Sequence, residues 1–90
     1  MNVLQLLIEA WEKFTQKHNL KIKIGRGDPD ASDGIQLHVS VPDYFADKYT
    51  DGDIEDLLEE VNLRLVYRTP AKDSLVWLVI ALNQNKVSDS

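Results

Sequence analysis

The feature that most constrains this chain is a run of eight apolar residues, Leu75-Val76-Trp77-Leu78-Val79-Ile80-Ala81-Leu82. Its β-branched and aromatic content and its length suit a strand. It falls well short of the roughly 20 residues that cross a bilayer. Side chains alternate across a strand, so Leu75, Trp77, Val79 and Ala81 face one way and Val76, Leu78, Ile80 and Leu82 the other. Both faces are therefore apolar. Such a strand is either central and covered on both faces, or it lends an apolar stripe to an open sheet face that another chain covers. On the second alternative Val76, Leu78 and Ile80, with Arg64 and His38 from other strands, form an oligomer or partner face. A homodimer through that face is then expected.

Other segments supply partners for this strand. Val3, Leu4, Leu7, Ile8, Trp11 and Phe14 have helical spacing, with Asn2 and Gln5 fitting a capping box and Asn19 a stop. Residues 20–24 and 35–41 alternate apolar and polar, as half-buried strands do, and the turn-rich stretch 25–34 between them reads as a hairpin loop. Pro42 ends the second strand, because it cannot donate to a ladder. One helical turn is expected at 43–49, with Tyr44, Phe45 and Tyr49 inward. Thr50 then caps a second long helix buried through Ile54, Leu57, Leu58 and Val61. Residues 62–68 alternate as a strand, with Leu63, Leu65 and Tyr67 on one side, although the helix could also run on to Arg68. A turn at 69–74 leads into the apolar strand. The expected fold is α+β in the order α-β-β-α-β-β. It has a four-stranded, mainly antiparallel sheet with two helices on one face, one domain over 1–82 and a polar tail at 83–90. With 43% hydrophobic residues, 90 positions suffice for one core.

The chemistry-bearing residues are sparse. There is no cysteine, which removes thiol nucleophiles and Cys-ligated metal. Asp28 to Gly34 has the oxygen-rich look of a calcium loop, but its glycine falls one place late and the twelfth position is Val39 instead of Glu. Arg26-Gly27-Asp28 matches an adhesion tripeptide and nothing around it agrees. His18 and His38 have no partner at ligand spacing. Ser32, Ser40 and Ser74 lack the strand–turn–helix elbow of a nucleophile. Carboxylates are abundant, yet they fall in loops or on solvent faces where none would be held neutral for acid–base work. No enzyme, catalytic residue, metal or cofactor is expected. The apolar start has no basic residues before it and is broken by Glu9 and Glu12, so no signal peptide is read and a cytoplasmic location is expected.

Charge is the informative property. From Asp28 to Glu60 there are eleven acids and one base, Lys48, a net of −10; the rest has four acids and nine bases, +5, which returns the chain's −5. Within the second long helix Glu55 and Glu59, Asp56 and Glu60, and Asp56 and Glu59 are like-charge pairs at helical spacing. Each costs a few tenths of a kcal/mol. Two explanations stand: a solubilising surface, or a belt of Asp51, Asp53, Glu55, Asp56, Glu59 and Glu60 kept for a basic partner. The second leads to a small acidic binding module that docks on a basic protein surface, such as that of a nucleic-acid-binding protein, as an inhibitor, immunity or anti-defence protein. Direct contact with nucleic acid or membrane is not expected. The alternative is a homo-oligomeric assembly subunit built through an open sheet face.

Overall fold

The computed structural model describes residues 3–28 and 35–83, with 26–28 as backbone only. Elements run α1 (Val3–Lys17), β1 (Ile24–Asp28), β2 (Gln36–Pro42), α2 (Asp43–Ala46), α3 (Asp51–Glu59), β3 (Leu63–Arg68) and β4 (Leu75–Leu82). The sheet order is β1-β2-β4-β3, and every neighbouring pair is antiparallel. The fold is α+β, with the long helices on one face. The capping box at Asn2 and the calcium-loop and tail residues 29–34 and 84–90 lie outside the described residues.

The eight-residue apolar run takes a central place, between β2 and β3. Val76, Leu78 and Ile80 point under the helices and meet Val41, Val39 and Leu37 across the ladder. All six are buried, Leu78 with 0% exposure. This corrects the expectation that Val76, Leu78 and Ile80 form an open face: they are the centre of the core. Trp77 and Val79 lie on the other face, the latter opposite His38, and Arg64 sits there opposite Ala81.

The core stripe of α1 is Leu7, Trp11, Phe14 and Thr15, with Leu4 and Ile8 at its margins. Trp11 stacks on Phe14 at 4.9 Å between ring centroids, and Phe14 meets Phe45 of α2 edge-on at 6.2 Å. Phe45 is buried as expected, but Tyr44 is exposed. Asn19, at φ 56°, turns the chain out of α1.

The first strand is displaced from its expected place. It starts at Ile24, with the Lys23 carbonyl already accepting from the Ser40 N–H at 3.3 Å, and continues into the glycines read as loop. A bulge falls between Ile24 and Arg26. A Cβ at Gly25 would overlap the Trp77 ring, 2.8 Å from Cη2, so Trp77 reaches across β2 to lie against bare backbone. Close approach of this kind is one of the few reasons for glycine inside a strand.

A second bulge, between Leu65 and Tyr67, changes the parity of β3. Leu63 and Leu65 face the helices, whereas Tyr67 turns to the opposite face and is 58% exposed. The β3–β4 turn closes on Asp73 and Ser74, both at positive φ, with Lys72 and Leu75 exchanging backbone hydrogen bonds of 2.8 and 3.0 Å. Asn83, assigned to the tail from its polarity, is buried, and its N–H donates to the Asn62 carbonyl at 2.8 Å.

Candidate acidic site

The acidic helix is held in place by its ends. Thr50 Oγ1 accepts from the Asp53 N–H at 3.2 Å, and Asp53 Oδ2 accepts from the Thr50 N–H at 3.3 Å, a complete capping box. Ile54 and Leu58 seal the inner face with no exposure, while Leu57 and Val61 pack at the edges. The opposite side carries Asp51, Asp53, Glu55, Asp56, Glu59 and Glu60, all exposed.

These six acids divide into two groups. Asp51 faces Arg68 of β3, Nη1 to Oδ1 3.3 Å. Asp53 belongs to the cap. Lys17, the last residue of α1, donates to Glu60 Oε1 at 2.8 Å. That hydrogen bond and the lysine charge hold the Glu60 carboxyl below its ordinary pKa. Beside this bridge the His18 pKa is also lowered, first by burial of the ring and then by the Lys17 charge, with Glu60 opposing.

The middle of the helix is different. The ion pairs at Asp51 and Glu60 do not involve Glu55, Asp56 or Glu59, which have the Arg64 base beside them. They line a shallow hollow of about 330 Å³ at the β3 edge, shared with Arg64, Leu65 and Asn83. Thus the belt anticipated from sequence is not uniform: its ends serve the fold, and three carboxylates occupy its centre.

Arg68 was the residue the sequence concealed. As a polar position in an alternating strand it reads as solvent-facing, but the β3 bulge turns it toward the helices. Nη1 donates to the Tyr49 carbonyl at 3.1 Å and Nη2 to the Ala46 carbonyl at 3.3 Å. It thereby caps carbonyls at the end of α2 while reaching Asp51 at the start of α3. No sequence signal marks such a contact, because its acceptors are backbone atoms some 20 residues away.

The other predicted face separates. His38 and Arg64 lie on the outer side of the sheet, whereas Val76, Leu78 and Ile80 lie inside. The apolar side chains that join His38 and Arg64 there are Trp77, Val79 and Tyr67. Among the described residues no cluster of three or more His, Cys, Asp or Glu side chains is arranged to hold a metal ion. No helix among them is long and apolar enough to cross a membrane. No family model, curated protein or solved structure matches the chain.

Proposed function

We propose that this chain is a non-enzymatic, cytoplasmic binding module that docks the middle of α3 on a basic surface of a partner protein. The observation that carries this reading is the division of the acidic belt. The fold supplies a partner to Asp51, Asp53 and Glu60, yet leaves Glu55, Asp56 and Glu59 together on successive turns of an exposed helix. Their mutual repulsion is a cost to the isolated protein. A cationic cleft would relieve it, and the clustered field would speed encounter. A nucleic-acid-binding protein offers such a cleft, which is how an inhibitor, immunity or anti-defence role enters; that step is analogy from size and charge.

The triple variant Glu55→Gln, Asp56→Asn, Glu59→Gln tests the reading. It should melt at the same temperature as the parent chain or slightly higher. It should also fail to retain those proteins that the parent captures at low salt and releases at high salt. Unchanged retention, or a lowered melting temperature, would remove the basis for the proposal.

A second reading is favoured by the outer sheet face, where Trp77, Val79 and the exposed Tyr67 lie together: an assembly subunit that pairs through this face. Light scattering on the eluting protein separates the two, since a closed oligomer dissociated by Tyr67→Lys supports the assembly reading.

A further inference from the structure

We infer that the groove between α1 and the C-terminal end of α3 seats a basic amphipathic helix of the partner protein. The inference rests on the binding reading above and specifies the chemistry of its ligand. The groove measures about 570 Å³ and is open to solvent.

Its apolar lining comes from Leu6 and Ala10 of α1, Val61 after α3, and Leu82 at the end of β4. Leu6, Ala10 and Lys13 share one stripe of α1, set by their helical spacing. Continued toward the C-terminus, the stripe reaches Lys17, whose bridge to Glu60 ties α1 to α3. Continued the other way, it presents Val3 and Leu6, left 40% and 37% exposed. Leu6 to Lys13 spans about 10 Å, two helical turns, enough for two apolar anchors at i and i+4 on a bound helix.

The rim decides the charge of the occupant. Glu9 stands on the α1 wall, one turn from Lys13, and Glu59 on the other, where Glu60 is already bridged to Lys17, so acids still outnumber bases at the rim. Glu59 also lines the hollow that holds Glu55 and Asp56, so the acidic centre of α3 continues into the groove. A helix with apolar anchors and Lys or Arg along its flanks satisfies both surfaces at once. An acidic helix would place like charges against Glu9 and Glu59.

The test uses the full chain and three synthetic peptides of equal length, followed by amide chemical shifts. One is a lysine-rich helix with leucines at i and i+4, one has the same composition with the leucines dispersed, and one carries Glu for every Lys. The first should shift Leu6, Ala10, Val61 and Leu82, and Leu6→Glu should weaken it about tenfold or more. Leu6 is partly exposed, so this variant should melt as the parent does; Ala10→Gln, which narrows the same wall, is the second variant. Equal affinity for the dispersed peptide, or shifts confined to Glu55, Asp56 and Glu59, would overturn the groove and leave charge docking standing. Absence of peptide binding alongside intact salt-dependent capture would do the same. Concentration-dependent shifts at the groove without peptide would assign it to a second copy of the chain and also overturn the inference.

Discussion

Replacing Arg68 by Met should destabilise the protein far more than an exposed strand-edge arginine would. The variant retains an unbranched apolar stem of similar reach and removes the guanidinium. Lost with it are two charge-assisted hydrogen bonds, to the carbonyls of Tyr49 at 3.1 Å and Ala46 at 3.3 Å. Each contributes about 1 kcal/mol in a partly solvated setting, the typical net value for a hydrogen bond. The ion pair to Asp51 adds less, under about 1 kcal/mol, because the carboxylate is 71% exposed while the guanidinium side is 21% exposed. The expected total is about 2–3 kcal/mol. A domain of this size loses roughly 4–8 °C per kcal/mol, so a thermal melt should show a drop of roughly 8–24 °C. Asp51→Asn is the control: it removes only the ion pair and should cost under about 1 kcal/mol. Urea titrations of both variants, with unchanged slopes, would give the same ranking. If the Arg68 and Asp51 variants prove equally stable, the carbonyl contacts do not hold the α2–α3 corner.

Three further outcomes follow from the packing and the titrating groups. Leu78→Ala should cost about 3–4 kcal/mol in urea, as a fully buried leucine does, whereas Tyr67→Ser, on the other face, should cost about 0.5 kcal/mol; similar losses would contradict the assigned strand faces. Gly25→Ala should be destabilising in the parent chain but not in a Trp77→Ala background, a coupling of at least about 0.5 kcal/mol in a double-mutant cycle. Stability should fall with acid in two windows. The lowered His18 pKa favours the neutral ring in the folded state, so its contribution is full above 6.5 and declines as pH drops through the folded value. The lowered Glu60 pKa acts the same way below 4.5. Melts across this range should lose only the upper window in His18→Gln; an unchanged profile would show that burial of His18 is immaterial.

The sequence by itself determined the existence of most elements and the location of the charge. Eight apolar residues marked a strand, either central or on an open apolar face, and β4 occupies the matching range Leu75–Leu82. The 3.6-residue stripe of α1, the Thr50 cap of α3 and the acidic run from Asp28 to Glu60 were equally local properties, written in neighbouring residues. Tertiary structure decided what periodicity cannot carry. Alternation states that Leu78 and Trp77 point oppositely, but not which meets the helices, since both sets are apolar. Each bulge inserts one unpaired residue and reverses parity beyond it, which placed Tyr67 outside and Arg68 inside against a uniform pattern. At the glycine-bearing start of β1, Trp77, two strands away, lies over Gly25, a contact that no local pattern announces. Arg68 and Lys17 approach α3 from opposite ends of the sequence and leave Glu55, Asp56 and Glu59 between them. A residue's charge is a property of the chain, but its neutralisation depends on long-range neighbours that only folding brings within a few ångströms.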